Sequence, residues 1–187
     1  MQRIRQGVMI TFTLALCWLL LMPVHELGHV LNAVLSGGHV VRVIVDPLSF
    51  SRTDISPNPH PLFVTWGGPL WGCVIPLLGY VSARRWKGSK IFLIRFFSGF
   101  CLIANGVYIG TGPVIRAGDS ADMLAYGTPA WAMVIFGVVT FGAGLYFWNG
   151  VGPHFGVGRE DRRLDVSPGI VAALAALVFT LEFLLMR

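Results

Sequence analysis

The chain has 187 residues, 55% of them hydrophobic and only 12% charged, with a mean hydropathy of +0.69. Soluble domains carry about 25% charged residues, so this composition excludes an ordinary soluble domain and points to one compact multi-span membrane unit over residues 1–187, with no room for a sizeable soluble domain beside it. The formal charge of +5 does not signal nucleic acid, because the basic residues cluster beside apolar segments, where membrane topology accounts for them.

In chain order, Met1-Gln2-Arg3-Ile4-Arg5 precedes an apolar run from Val8 to Leu35. Its charged start resembles a signal peptide, but the run continues past Pro23 without a cleavage pattern, so it reads as a retained first helix. Four further segments approach the roughly 20 residues a hydrocarbon core demands: Leu62 to Ala83, Ile91 to Gly110, Pro129 to Trp148 and Pro168 to Met186. Between the first two, His39–Val45 is rich in β-branched residues and stops at Asp46-Pro47, which predicts a strand and turn. Ser56–Pro61 reads as an irregular connector. The expected fold class is an all-α membrane protein, a bundle of about five transmembrane helices with a short β-strand or hairpin between helices 1 and 2. Its core covers residues 8–124, with additional helices at 129–148 and 168–186.

Charge is uneven along these segments. Arg3, Arg5, Arg84, Arg85, Lys87, Lys90, Arg95, Arg159, Arg162 and Arg163 fall on one side of a five-span arrangement, and Arg42, Arg52, Arg116 and Arg187 on the other. The bias predicts a cytoplasmic N-terminus. Cys17, Cys73 and Cys101 sit singly in apolar runs and read as small core residues rather than a disulfide framework.

His25-Glu26-Leu27-Gly28-His29 lies inside the first apolar run. An ionisable group at the bilayer centre costs roughly 2.5–3.5 kcal/mol on insertion scales, and a bound metal is the simplest way to offset that. Positions i and i+4 share one helix face, so both imidazoles can hold one ion, while Glu26, turned by about 100°, can reach a water without being a ligand. Catalytic zinc takes three protein ligands and keeps one open position. Candidates for the third are His39, His60, His154, Asp119, Asp122 and Glu182. The two aspartates stand out because they follow a Gly/Pro-interrupted stretch, Gly110–Pro113, and irregular backbone at membrane depth lines protein-enclosed cavities. Either Asp can instead cap a helix ahead of Met123-Leu124.

HELGH in a first core helix, a strand-like segment, and then Gly67-Gly68-Pro69-Leu70 opening the next helix together resemble the site-2-protease class of intramembrane metallopeptidases. Asn105 followed by Gly118-Asp119 is similar to that family's Asn/Pro…Leu-Asp-Gly element. The resemblance covers roughly Val8 to Leu124 and is nearest to short members without an appended module. It implies one Zn2+ held by His25, His29 and Asp119, with Asp122 in reserve, and Glu26 as general base. It also implies that the HELGH end of the first helix faces the cytoplasm, opposite to the charge bias.

Other residues suggest lesser roles. Asn105 and Tyr108 could steady a substrate carbonyl or oxyanion, or could simply hydrogen-bond between helices. Gly68, Pro69 and Gly72 carry a small-xxx-small pattern suited to helix packing or to a substrate groove. Pro23 withholds a helical hydrogen bond from the Leu19 carbonyl. Glu182 and Arg187 read as snorkelling side chains near an interface. The expected function is zinc-dependent hydrolysis of a peptide bond in or near a transmembrane segment of a substrate protein. The expected surroundings are the lipid bilayer and that membrane-protein substrate, with no nucleic acid; a homo-oligomer or regulatory membrane partner is left open. The alternative is a non-catalytic membrane scaffold or sensor retaining a structural metal site.

Overall fold

The computed structural model describes residues 1–49, 51–86, 88, 90–158 and 163–185. Lys87, Arg159, Arg162, Met186 and Arg187, which enter the charge count and the bound of the last span above, lie outside the described residues. Among the described residues the fold is mostly helical, with a short two-stranded sheet and five helices long and apolar enough to cross a membrane.

Helix α1 runs from Gln2 to Leu35, starting before the apolar run itself. Hydropathy marks the bilayer-length portion of a helix, not its ends, and Gln and Arg propagate a helix as well as most residues do. Its 34 residues amount to about 51 Å at 1.5 Å per residue, well beyond a hydrocarbon core of about 30 Å. Gly37, at φ 78°, turns the chain back into a hairpin. Strand β1 (Val40–Ile44) pairs antiparallel with β2 (Arg52–Ile55), Val43 opposite Thr53 and Ile44 opposite Arg52, with a bulge between Val40 and Arg42. Asp46 closes the turn by accepting the Leu48 and Ser49 N–H groups at 2.8 and 3.1 Å. Arg52-Thr53-Asp54-Ile55 carries little strand character of its own; pairing with β1 makes it a strand.

Helices α2 (Pro61–Ala83) and α3 (Ile91–Gly110) follow. Gly67-Gly68-Pro69 lies well inside α2 rather than opening it. The interruption expected at Gly110–Pro113 is slight: a single turn, α4 (Gly112–Ile115), carries the helix on, because Pro113 sits in its first turn, where no N–H is needed. The break comes later, at Arg116 (φ 52°) and Gly118 (φ 56°), ahead of α5 (Asp119–Ala125). Two further long helices, α6 (Ala130–Trp148) and α7 (Pro168–Leu185), complete the bundle.

Hydrocarbon offers no hydrophobic drive for helix association, so close backbone approach has to supply van der Waals contact. Gly28 of α1 meets Gly67 of α2, and Gly106 and Gly110 of α3 meet Gly137 of α6, each leaving no space for a side chain. The outward faces of α6 and α7 expose Trp131, Val138, Leu145, Leu177 and Leu184, a surface suited to lipid rather than water. The connections place Gln2, Arg5 and Arg163 together around a cavity of about 540 Å³ at one end of the bundle. The hairpin, the start of α2 and α5 gather at the other. Glu182 does not snorkel: it is buried on α7, and its carboxylate has no hydrogen-bond partner among the described residues. Cys17, Cys73 and Cys101 are buried free thiols.

Candidate metal centre

Four elements, β2, α2, α3 and α5, meet around the HELGH segment of α1. His25, Glu26 and His29 are all buried, and their ligand atoms lie within 4.8 Å of one another. The histidine rings meet edge to face with centroids 5.0 Å apart. Each ring is fixed through its Nδ1. His25 Nδ1 lies 2.9 Å from Asn105 Oδ1, and the Asn105 Nδ2 group donates to the Cys101 carbonyl at 2.9 Å. His29 Nδ1 lies 2.9 Å from the Val64 carbonyl oxygen. A carbonyl only accepts, so His29 Nδ1 carries the proton; the Asn105 amide, oriented by its own donation, imposes the same tautomer on His25. Both Nε2 lone pairs therefore point inward.

Asp119 comes to meet them from α5. Its Oδ2 is 2.8 Å from His25 Nε2 and 3.4 Å from His29 Nε2. Gly118 occupies the N-cap position and Asp119 caps nothing, so its carboxylate is free to face the histidines. The Asp119 N–H donates to the Tyr108 hydroxyl oxygen at 2.8 Å, and a side chain at position 118 would overlap that hydroxyl. Burial by itself would raise the Asp119 carboxyl; with no ion bound, hydrogen bonds and positive charge from His25 and His29, protonated at Nε2, outweigh it and hold the group well below the usual carboxylate range.

Three acceptors now face one another: two imidazole lone pairs and a carboxylate oxygen. Such a cluster needs a positive charge in its midst, either a proton on an Nε2 hydrogen-bonded to Asp119 at 2.8 Å or a metal ion. The donors fit a metal. A tetrahedral ion at about 2.1 Å from each donor sets them about 3.4 Å apart; the His29–Asp119 separation of 3.4 Å matches that value and the His25–Asp119 separation of 2.8 Å is shorter. Space is reserved as well, since a Cβ on Gly68 would overlap the Nε2 atoms of both histidines. Imidazole and carboxylate donors suit first-row divalent ions, zinc among them.

Other predicted residues fall in different places. Asp122 is exposed on α5, as are His39 at the hairpin base and His60 before α2. His154 is held by Asp165 at 2.7 Å and stacks on Phe92, near the start of α3 and far along that helix from Asn105. Glu182 is on α7. Asn105 is turned to His25, an orienting position rather than one facing an incoming carbonyl. Tyr108, its ring 6.1 Å from that of His25, supports the Asp119 backbone. Gly68 faces the centre and Gly72 leaves room for the Asn105 amide, while Pro69 is fully buried within α2.

One residue escaped the sequence reading. Thr53 of β2 donates its hydroxyl to Glu26 Oε2 at 2.6 Å. The Val64 carbonyl and the pair Asn32–Trp71, joined at 2.9 Å, also brace this end of α1 without any signal in the sequence. No protein-family model matches the chain, and no curated protein or solved structure matches it either.

Proposed function

We propose that this protein is a zinc-dependent intramembrane endopeptidase of the site-2-protease type, cleaving a peptide bond in or near a transmembrane segment of another membrane protein. The observation that carries this reading is the convergence of His25 Nε2, His29 Nε2 and Asp119 Oδ2 beside a carboxylate, Glu26, that is not needed to complete the ligand set. Zinc in that position supplies Lewis acidity and makes water a nucleophile near neutral pH.

The protein's own residues supply the rest. His25, His29 and Asp119 would hold the ion, while Asn105 and the Val64 carbonyl orient the imidazoles through Nδ1. Glu26 takes the proton of the attacking water and returns it to the leaving amine, the role a carboxylate within reach of the nucleophile performs in general base catalysis. Gly68, having no side chain, lets α2 lie directly against the two histidine Nε2 atoms. Five apolar helices around the site favour a substrate that enters from the bilayer as a locally unwound segment.

The test compares wild type with Glu26→Gln in cells and in detergent. Both should purify with about one zinc per chain, as a single catalytic centre requires. Membrane-protein fragments should appear only with wild type, and their full-length precursors should accumulate on Glu26→Gln. Wild type without zinc, and unable to take it up, would defeat the proposal. Zinc in both proteins with identical membrane proteomes would instead favour a structural or sensing metal site.

A further inference from the structure

The hairpin does more than connect α1 to α2. Along β2 side chains alternate between faces. Arg52 and Asp54 share the outer face, where they pair at 3.4 Å with 66% and 45% of their side chains exposed. Thr53 therefore points the other way, into the bundle, and its hydroxyl reaches Glu26 Oε2 at 2.6 Å across 27 residues of sequence. Glu26 is only 4% exposed, so this hydroxyl replaces much of the water that a carboxylate would otherwise recruit.

The register that produces this contact is held at both ends. At the base, Gly38 N–H donates to the Ala33 carbonyl at the end of α1, and His39 and Ser56–Pro57 exchange backbone hydrogen bonds of 2.8 and 3.0 Å. At the tip, Asp46 closes the turn. Between base and strand, the bulge at Val40/Arg42 sets the phase of everything beyond it, as bulges do when they re-aim a side chain. A slip of one residue would exchange Thr53 for Arg52 or Asp54. Asp54 would set two carboxylates together, and Arg52 would place a fixed cation where a proton must be accepted. A hydroxyl is the one group in Arg52-Thr53-Asp54 that can hold a carboxylate without changing the charge of the centre.

We infer that Thr53 is a positioning residue for Glu26: by holding Oε2 it fixes the carboxylate beside His25 and His29, where it would serve a bound metal's water, so that the catalytic centre is complete only when the hairpin is seated. This rests on the reading of His25, His29 and Asp119 as a zinc site with Glu26 as base. The hydroxyl plays no part in holding the ion, and its loss should leave metal content alone.

Acetohydroxamate on the zinc-loaded, full-length protein in detergent tests this without a substrate. A hydroxamic acid binds zinc through its two oxygens and passes its hydroxyl proton to a neighbouring base, so its affinity reports where the Glu26 carboxylate stands. Thr53→Val keeps the side-chain shape and removes the hydroxyl, and Thr53→Ser keeps the hydroxyl. Thr53→Val should retain about one zinc and bind acetohydroxamate on the order of tenfold more weakly, the usual scale for losing an outer-shell partner. Glu26→Gln should weaken it at least as much, and Thr53→Ser should bind as wild type does. If Thr53→Val retains zinc and binds the probe like wild type, the positioning role is wrong while the zinc reading stands. If Thr53→Val loses zinc and Thr53→Ser does not, the hydroxyl supports the metal site as a whole, and the inference is overturned in that form. If wild type takes up no zinc, the reading of the centre fails and the role of Thr53 with it.

Discussion

Asp119 Oδ2 stands 2.8 Å from His25 Nε2, although 94 residues separate them in the chain. The contact depends on two unusual backbone conformations between α4 and α5. Arg116 takes a left-handed φ of 52°, uncommon for a residue with a side chain, and Gly118 at φ 56° and ψ −140° takes one that essentially only glycine adopts. Together they turn α5 so that its first residue, rather than its fourth, faces the histidines.

This geometry separates the two aspartates. Asp119→Ala should abolish stoichiometric zinc binding, whereas Asp122→Ala should retain it, because Asp122 is exposed on α5. Elemental analysis of the purified variants decides the matter, and zinc loss in Asp122→Ala alone would reverse the assignment.

Asn105 is expected to act through His25. Its Oδ1 fixes the imidazole 80 residues away, and its Nδ2 group anchors the amide on the Cys101 carbonyl. Asn105→Leu should weaken zinc affinity by about 10- to 100-fold, the range for outer-shell partners of ligating histidines. Competition against a chelator of known affinity measures this directly.

Gly68 should be more sensitive than its size suggests. A single methyl there overlaps the Nε2 atoms of His25 and His29, whereas one on Gly72 meets the Asn105 amide, a step removed from those nitrogens. Gly68→Ala should therefore lose zinc, and Gly72→Ala should only lower the affinity. Equal zinc binding by Gly68→Ala and wild type would show that α2 can withdraw from the centre.

Acid stability carries a sign that can be checked. The Asp119 carboxyl is held below its ordinary value in the folded protein. Such a group contributes stability that is fully present above its unfolded pKa, about 3.9, and lost as the pH falls through the lower native value. In zinc-free protein the thermal midpoint of wild type should exceed that of Asp119→Asn at neutral and mildly acidic pH. The difference should close only below about pH 4. A gap that opens on acidification would contradict this.

The α3–α6 contact offers a control away from the centre. Gly137 meets the Gly110 Cα and the Gly106 carbonyl, so Gly137→Val forces two backbones apart. Overpacking of this kind costs about 1–3 kcal/mol. Thermal stability in detergent should fall while zinc content is unchanged.

Much of this molecule is local and therefore legible in the sequence. Five runs of apolar residues define five long helices, because helix formation and partition into hydrocarbon both depend on neighbours within a few turns. The HELGH pair is readable for the same reason: i and i+4 share a face in any α-helix. Val40–Ile44 declares itself by β-branched composition and suggests a strand or hairpin, whereas Arg52–Ile55 becomes a strand only by pairing, so the register that aims Thr53 inward is not legible.

What the tertiary structure alone decided are the meetings between distant segments. Asp119 and Asp122 are three residues apart and interchangeable by composition; where α5 begins, set by Arg116 and Gly118, chooses between them. Gly68 reads equally as a packing or a groove glycine until α2 lies against α1, and for Asn105 the sequence leaves open an oxyanion contact or an interhelical hydrogen bond, of which the structure shows the bond to His25. Thr53 matters only through a bulge and a register fixed by its partner strand. Local periodicity places a side chain on a face of its own element, but which groups then share one buried volume depends on how the elements dock, and no short window of sequence contains that.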